Sequence, residues 1–273
     1  MKAFASDLDR TLIYSKKMIE LYGADREDYE LTETLDGKEI SYISRKTARH
    51  LRKIHQDMYF IPVTTRTTEQ YQRIAFFQKE VIPEYAVTTN GGCILQNGSP
   101  IREWSSFIES RLQSCMPMKD MLGELAKLPL SEAAERIRTA HHYFVYLILG
   151  EEGLRGINAA CVKAWAADKG WQASLQGRKL YFIPEPLNKW RAVDYLKREL
   201  NIDEVYTAGD SLLDFELIAQ ADYGVSPAHG EVLHHYPDLN ATMHPGMKAA
   251  DEITEHIVKL GAARPTKPNN ILG

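Results

Sequence analysis

The chain has 273 residues, of which 44% are hydrophobic and 26% charged, and its formal net charge is −4 with a sequence pI near 6.2. That length suits one large or two modest domains, and the composition is that of an ordinary globular protein. The slightly acidic balance gives no overall attraction for nucleic acid or an anionic membrane, and we expect neither as a partner.

The cysteines and the N-terminus bear on location. Cys93, Cys115 and Cys161 are odd in number and form no CxxC pair, which argues against a disulfide framework or a zinc site. No basic segment followed by an apolar stretch opens the chain, and the longest apolar run, residues 143–149, is too short to cross a bilayer. We therefore expect a cytoplasmic protein without a signal peptide.

The first predicted element is a short apolar strand over residues 2–6, which runs into Asp7, Asp9 and Thr11. Side chains at i and i+2 of an extended chain point the same way, so the two carboxylates would converge at the carboxyl edge of a sheet. Carboxylates this close repel each other unless a cation or a proton lies between them. Mg²⁺ with a phosphorylated substrate is one solution, and an acidic turn after an edge strand is the alternative.

The elements that follow alternate between strand and helix. The pattern predicts a hairpin over 29–44, a helix over 45–57 capped by Ser44, a strand over 59–63, a helix over 67–79 and a strand over 85–89. This β-α-β-α-β order is typical of an α/β protein with a doubly wound parallel sheet. Polar segments follow two of the strands, Thr64-Thr65-Arg66 and Asn90-Gly91, although threonines often end strands and Asn-Gly is also a plain turn.

The middle of the chain has a different pattern. It predicts a largely helical stretch over 108–128, a strand over 142–149, a helix over 154–169 and a hairpin of strands 171–175 and 178–183. Helices combined with antiparallel strands indicate a separate α+β unit. We therefore predict a discontinuous core of residues 1–97 and 185–273, with an α+β cap inserted at residues 98–184.

After the cap, the pattern predicts a helix over 189–200, a strand over 204–208 and a helix over 215–221. Lys189 begins the first helix, although a solvated helix start is the alternative for a lone lysine. The segment from Gly209 to Asp214 follows the strand, and its Asp210 and Asp214 lie one helical turn apart. Carboxylate oxygens suit Mg²⁺, while an Asp N-cap with a surface Asp is the alternative. The tail over 264–270 is predicted to be loosely ordered.

Taken together, these segments resemble the four motifs of the haloacid dehalogenase (HAD) superfamily. The matching residues are Asp7-x-Asp9-x-Thr11 for motif I, Thr64-Thr65-Arg66 for motif II, Lys189 for motif III and Gly209-Asp210-x-x-x-Asp214 for motif IV. The insertion between motifs II and III is similar to that of C2-capped members, in particular Cof-type and sucrose-phosphatase-like phosphatases. The resemblance implies a Rossmann-like core with an inserted α+β cap of the C2 type.

The resemblance also implies a function. The chain would be a Mg²⁺-dependent phosphoric monoester hydrolase that acts on a small phosphorylated metabolite, with a sugar phosphate as one candidate. Asp7 would be the nucleophile that forms an aspartyl-phosphate, and Asp9 the general acid and base. Lys189 would be the ammonium that neutralises the charge of the nucleophile and the phosphate and holds Asp7 in place. The implied phosphate contacts are Thr64, Thr65, Arg66, Asn90 and Gly91. The implied Mg²⁺ ligands are Asp7, Asp9, Asp210 and Asp214.

Three positions depart from the subgroup's pattern. Thr65 stands where Gly is usual, Leu213 where Asn is usual, and His229 where another Asn is usual. Two alternatives therefore stay open: a phosphomutase, which would return the phosphoryl group to its substrate, and a module that binds a phosphorylated ligand without turnover. The sequence leaves the chain as a monomer or a homodimer, and it does not assign a role to the insertion over 14–43.

Overall fold

The computed structural model describes residues 1–262, so the predicted loose tail at 264–270 lies outside the described residues. Within that range, no helix combines the length and the apolar character needed to cross a membrane. The strands are β1 (Lys2–Ser6), β2 (Tyr29–Leu35), β3 (Lys38–Ser44), β4 (Tyr59–Pro62), β5 (Tyr85–Thr88), β6 (Cys93–Gln96), β7 (Ser99–Pro100), β8 (Ala134–Ala140), β9 (Phe144–Leu149), β10 (Trp171–Gln176), β11 (Lys179–Pro184), β12 (Glu204–Ala208) and β13 (Tyr223–Val225). The helices are α1 (Lys16–Tyr22), α2 (Arg45–Asp57), α3 (Thr68–Gln72), α4 (Ala75–Lys79), α5 (Arg102–Leu112), α6 (Met118–Leu125), α7 (Pro129–Glu132), α8 (Glu151–Gly156), α9 (Ala159–Ala167), α10 (Lys189–Glu199), α11 (Phe215–Ala219) and α12 (Met247–Ala262).

A parallel sheet forms the core, with strand order β13-β12-β1-β4. A parallel bridge between Val63 and Val87 brings β5 alongside β4. The central strand β1 is almost fully buried, and its last residue, Ser6, pairs with Ala208 on one side and Pro62 on the other. The carboxyl ends of three strands therefore meet at one edge, where open α/β sheets bind their ligands. The predicted α/β fold with a parallel sheet is confirmed.

A second, antiparallel sheet has the order β10-β11-β9-β8, and we call it the cap sheet. Alternate residues of its strands, such as Val145, Leu147 and Phe182, are fully buried in a hydrophobic cluster that also includes Met121 of α6 and Ala166 of α9. The predicted α+β cap is confirmed as a fold element, while its boundaries at residues 98 and 184 stay a prediction.

The hairpin predicted over 29–44 is formed by β2 and β3, and its turn lies at Asp36–Gly37, where both residues have positive φ angles. Its register shifts around Glu33, which indicates a β-bulge. The shift buries two consecutive side chains, Thr32 and Glu33, whereas a regular strand would direct one of them outward. The backbone of Glu33 also bridges to Ile74, so the hairpin packs beside the segment that follows β4.

Three predicted helices are wrong in extent because each is interrupted. The helix predicted over 67–79 breaks between α3 and α4, and the stretch over 108–128 breaks before Pro117, which cannot donate a backbone hydrogen bond. The helix over 154–169 divides into α8 and α9, because Asn158 caps α9 with its side chain. The sequence analysis also missed α1, α12 and the strands β6, β7, β8 and β13.

Candidate active site

Asp7 lies directly after β1 and is held from two sides. Its Oδ1 accepts a hydrogen bond from Lys189 Nζ at 2.6 Å, and its Oδ2 accepts one from Thr11 Oγ1 at 3.1 Å. Lys189 begins α10, whose N-cap is Asn188, and its ammonium also donates to Asp214 Oδ1 at 2.5 Å. Lys189 is 1% exposed, so the alternative of a solvated lysine is wrong.

Three carboxylates converge at this edge of the parallel sheet. Asp7, Asp210 and Asp214 each offer one oxygen, and these atoms lie within 4.8 Å of one another. Arg10 Nε lies 3.2 Å from Asp210 Oδ2, which places a second cation at the cluster. All three acids are buried, so the alternative of a surface Asp at position 214 is wrong.

Local structure after β12 explains how Asp214 reaches the cluster. Its Oδ2 accepts hydrogen bonds from the backbone N–H of Ser211 at 2.9 Å and from Ser211 Oγ at 2.7 Å. Ser211 therefore helps to orient this carboxylate, and Leu213, which stands where Asn is usual, is a buried apolar residue. Gly209 is required by close packing, because a Cβ there would lie 2.4 Å from Asp214 Cβ.

Burial and mutual repulsion dominate the electrostatics of the cluster. Burial raises the pKa of Asp7 to about 7, with Lys189 opposing the rise and Asp214 adding to it. Burial, followed by the charge of Asp7, raises the pKa of Asp210 well above its usual range. Burial alone would lower the pKa of Lys189, but Asp214 and Asp7 outweigh it, so that pKa is raised. Clustered buried carboxylates of this kind fit a hard divalent cation.

Asp9 is held apart from this cluster by Arg66. Arg66 Nε lies 2.7 Å from Asp9 Oδ2, and Arg66 Nη2 lies 2.8 Å from Asp9 Oδ1, a bidentate pair. Burial would raise the pKa of Asp9, but the guanidinium outweighs it, and the pKa is lowered. The structure thus brings together Asp7, Asp210 and Asp214 but not the Asp9 carboxylate, and Asp9 as a metal ligand stays a prediction.

Glu33, on the hairpin, holds Arg66 from the opposite side. Its carboxylate lies 2.7 Å from Arg66 Nη1 and 3.1 Å from Arg73 Nε, and it accepts a hydrogen bond from Ser41 Oγ at 3.2 Å. The side chain is fully buried. Sequence analysis missed this residue. No local signal marks it, because Leu31, two residues earlier in β2, is exposed, and the β-bulge is what turns Glu33 inward.

The three residues of the predicted motif II segment after β4 differ in whether they reach the cavity. Thr64 is buried, and its Oγ1 accepts a hydrogen bond from the backbone N–H of Arg66 at 3.1 Å. Thr65 and Arg66 line the cavity described below. Thr65 is not among the residues with positive φ, so its backbone conformation does not require the glycine that is usual there. Contact of Thr64 or Thr65 with a phosphate stays a prediction.

Asn90 and Gly91 support the segment that carries Lys189. Asn90 Nδ2 donates a hydrogen bond to the carbonyl of Leu187 at 3.1 Å, and a Cβ on Gly91 would lie 2.2 Å from the carbonyl oxygen of Asn188. Asn90 has a φ of 56° and Gly91 a φ of 93°, values that Asn and Gly tolerate best. The turn therefore positions the motif III segment, and its contact with a phosphate stays a prediction.

His229 connects the loop after β1 to the end of the core. Its Nε2 lies 2.9 Å from the carbonyl oxygen of Arg10, and its Nδ1 accepts a hydrogen bond from the backbone N–H of Gly246 at 3.0 Å. Because the Gly246 N–H must donate, we assign the proton to Nε2. Burial lowers the pKa of His229, which favours this neutral form. The ring therefore fixes the loop that carries Arg10.

A cavity of about 560 Å³ lies between the strand-end edge and the cap sheet. Acid, base and hydroxyl groups of the core form its floor, and aromatic and polar residues of the cap sheet form its roof. Its lining includes Asp7, Asp9, Thr65, Arg66, Lys189 and Asp210 from the core and Tyr146, Ile148, Lys179 and Tyr181 from the cap sheet. The carboxylates of Asp7 and Asp9 and the ammonium of Lys189 thus face one partly enclosed space.

Comparison with known families gives one match that spans most of the chain. A family model described as sucrose-6F-phosphate phosphohydrolase matches residues 1–259. No protein of curated function matches the chain in sequence.

Solved structures of similar fold cover nearly the whole chain. Sucrose-phosphatase from Synechocystis, in complex with sucrose and phosphate, is 15% identical with a TM-score of 0.64 and covers 94% of this chain and 97% of its own. A HAD subclass IIB sugar phosphatase is 13% identical with a TM-score of 0.64, covering 96% and 99%. A protein related to trehalose-6-phosphate phosphatase is 17% identical with a TM-score of 0.51, covering 95% and 98%. At these identities the likeness shows the shared fold.

Proposed function

The chain belongs to the sucrose-6F-phosphate phosphohydrolase family of HAD phosphatases, and from this premise we propose that it hydrolyses a small sugar phosphate with the help of Mg²⁺ through an aspartyl-phosphate on Asp7. One observation carries the proposal. Asp7 faces the cavity from the end of β1, bound by Lys189 and clustered with Asp210 and Asp214. A carboxylate fixed in this way is a preorganised nucleophile.

The buried acids support the magnesium requirement. Asp7, Asp210 and Asp214 would hold the ion, with Asp9 as the fourth ligand that the motif resemblance implies. The raised pKa values of Asp7 and Asp210 reflect negative charges that a divalent cation would neutralise. When bound, Mg²⁺ would supply positive charge to the phosphoryl oxygens.

The first half of the reaction follows from the placement of the two motif I carboxylates. A carboxylate oxygen of Asp7 forms a bond to phosphorus while the bond from phosphorus to the sugar oxygen breaks. Asp9, in its protonated form, gives its proton to the departing sugar oxygen. Lys189 holds the Asp7 carboxylate in position and offsets the negative charge that accumulates around phosphorus.

The second half reverses the role of Asp9. The Asp9 carboxylate takes a proton from water, the water oxygen attacks phosphorus, and the bond between phosphorus and Asp7 breaks to release phosphate. Arg66 pairs with both oxygens of Asp9 and lowers its pKa, which favours the ionised form that this step needs. The protonated form needed first requires Arg66 to loosen its hold when substrate enters.

The roof of the cavity supports a sugar as the alcohol part of the substrate. Tyr146 and Tyr181 lie side by side on the cap sheet, with ring centroids 5.3 Å apart. Aromatic faces combined with polar side chains suit the mixed apolar and hydroxyl surface of a sugar. The cavity volume of about 560 Å³ lies within the ordinary range for small-molecule sites.

The proposal is tested by phosphate release from p-nitrophenyl phosphate and from a panel of sugar, polyol and nucleotide phosphates, with Mg²⁺ and with EDTA. We expect turnover only with Mg²⁺, a preference for sugar phosphates, and a loss of at least about a thousandfold in Asp7→Asn. Asp57→Asn, at the exposed end of α2, is the matched control and should behave as wild type.

Several outcomes would overturn the proposal. Full activity of Asp7→Asn would remove the aspartyl-phosphate, and full activity in EDTA would remove the magnesium requirement. Turnover only with a bisphosphate primer would indicate a phosphomutase. Binding of phosphorylated ligands without any turnover would indicate a module that binds without catalysis.

A further inference from the structure

One face of the cap sheet forms the roof of the cavity. Paired residues of neighbouring antiparallel strands project to the same face, and Tyr146 pairs with Tyr181 while Ile148 pairs with Lys179. All four of these residues line the cavity. The alternate residues, such as Leu147, are buried on the opposite face.

The same register places further cations on the roof face. Arg138 pairs with Tyr146, and Arg136 pairs with Ile148, so both arginines project to the side that Lys179 occupies. Within residues 1–262, neither arginine nor Lys179 has a carboxylate oxygen within 4.0 Å. Lys17, which lines the cavity from the core side, is likewise without such a partner in the described chain.

The acidic groups of the cavity are already matched. Asp9 pairs with Arg66, Glu33 pairs with both Arg66 and Arg73, and Asp210 lies beside Arg10. Asp7 pairs with Lys189. The charge left over in the cavity wall is therefore positive, although the whole chain has a net charge of −4.

Lys179 is the member of this set closest to the chemistry. Its ammonium lies 5.8 Å from the centroid of the Tyr146 ring, and both side chains face the cavity. Its charge also contributes to the lowered pKa of the Asp9 carboxyl. A group that occupies the space under Lys179 would thus belong to the same molecule whose phosphate meets Asp7.

We propose that the sugar part of the substrate carries a second anionic group, a carboxylate or a further phosphate, which Lys179 binds from the roof with Lys17 on the core side of the cavity. The inference rests on the proposed sugar-phosphatase function. A neutral sugar would give these cations no charged partner, whereas an anion in a partly enclosed cavity forms charge-assisted hydrogen bonds with them. Such pairing also discriminates against substrates that lack the anion.

The test compares matched substrates at a fixed Mg²⁺ concentration. Glucose 1-phosphate and glucuronic acid 1-phosphate differ by one carboxylate, while fructose 6-phosphate and fructose 1,6-bisphosphate differ by one phosphate. The measured quantity is a ratio of two kcat/KM values. The numerator is for the member with the second anionic group, and the denominator is for the member whose only anionic group is its single phosphate. The two pairs distinguish a carboxylate from a phosphate as the second anion.

We expect wild type to favour the member with the second anionic group, in at least one pair, by about tenfold or more. Lys179→Gln should lower that ratio by about five- to tenfold. The matched control is Lys53→Gln, which removes one exposed positive charge from α2 at a distance from the cavity. The control should keep the wild-type ratio. Because only the ratio is compared, a general loss of activity in Lys179→Gln does not mimic the result.

Failure of the inference is distinct from failure of the proposed function. If wild type hydrolyses both members of each pair equally well, or if Lys179→Gln keeps the wild-type ratio, the second anion is overturned while the sugar phosphatase stands. If no sugar phosphate is hydrolysed at all, the proposed function itself falls, and the inference falls with it.

Discussion

Lys189 is the single residue on which the acid cluster depends most, because it is the buried cation between Asp7 and Asp214. In Lys189→Met, two buried carboxylates lose their partner, which costs about 3–5 kcal/mol of stability for a pair of this kind. We also expect kcat to fall by at least about a hundredfold, since the ammonium no longer offsets charge at phosphorus. Urea unfolding and steady-state kinetics measure both effects.

The control for this substitution lies on the same helix. Lys197 pairs with Asp222 at the surface, 3.0 Å apart, and Lys197→Met should change the free energy of unfolding by no more than about 1 kcal/mol. A Lys189→Met protein with wild-type stability and turnover would contradict the role assigned to the buried ammonium.

Glu33 acts on the reaction through Arg66. Glu33→Gln keeps the shape of the side chain but removes the charge that draws Arg66 away from Asp9. We expect Arg66 to hold Asp9 more firmly and kcat to fall by about tenfold, roughly 1.4 kcal/mol of barrier, with a smaller change in KM. Steady-state kinetics on one substrate give both constants.

Glu39, on the same hairpin, offers the comparison for Glu33. It is exposed and accepts a hydrogen bond from Tyr42 Oη at 2.7 Å. Glu39→Gln should leave kcat unchanged, and an equal fall in kcat for the two variants would trace the effect to the hairpin as a whole.

At the level of the single residue, sequence reasoning found those that follow a strand. Asp7 and Asp210 could be located because parallel strands end at a common edge and the motif spacing is local, and Lys189 could be located as the start of the helix α10. Glu33 could not, because its partners Arg66 and Arg73 are 33 and 40 residues away along the chain. A bulge in β2 turns this acid inward, and no local pattern indicates that shift.

Secondary-structure elements show the same division between local and distant causes. The core strands β1, β4 and β12 and the helix α2 were predictable, because their apolar residues and the Ser44 cap form patterns of neighbouring residues. The edge strand β8 has an almost entirely polar surface and exists because β9 pairs with it. Sequence periodicity carries no signal for a strand that is stabilised by its neighbour's backbone.

A substitution at Gly209 tests the close packing of the turn between β12 and the short helical segment that follows it. Gly209→Ala adds a Cβ that would lie 2.4 Å from Asp214 Cβ and displace this carboxylate from Lys189. We expect a loss of about 1–3 kcal/mol in the free energy of unfolding and a large fall in kcat. Thermal unfolding and phosphate release measure the two.

For a second glycine, Gly123, we expect that substitution by alanine does no harm. Gly123 lies inside α6, and no atom lies within 4 Å of the position of an added Cβ. Gly123→Ala should therefore leave kcat unchanged and stabilise the protein by about 0.5–1 kcal/mol through helix propensity. Equal effects at the two positions would refute the close-packing explanation for Gly209.

The buried acid cluster should make the stability of the whole fold depend on pH. The pKa of Asp7 is about 7 in the folded protein and 3.8 in its ordinary state, so the ionised carboxylate destabilises the fold. This penalty is complete above pH 7, shrinks as the pH falls and vanishes below about pH 4. In EDTA, this group should make the Tm higher at pH 6 than at pH 8.

Mg²⁺ reverses the preference, because a cation favours ionised carboxylates. Adding Mg²⁺ should raise the Tm more at pH 8 than at pH 6, and Asp7→Asn should reduce that difference. Thermal scans of both proteins at the two pH values, with Mg²⁺ or EDTA, check the expectation. A larger Mg²⁺ effect at pH 6 would contradict it.

The two cations beside the cluster, one of them fully buried, have a consequence for the order of folding and metal binding. Arg10 and Lys189 already set two positive charges against the three carboxylates, so one negative charge is left for a metal to neutralise. We therefore expect the chain to fold without the ion and to bind it afterwards. Loss of a bound ion would then leave the protein folded, unlike in small domains whose folding requires their metal.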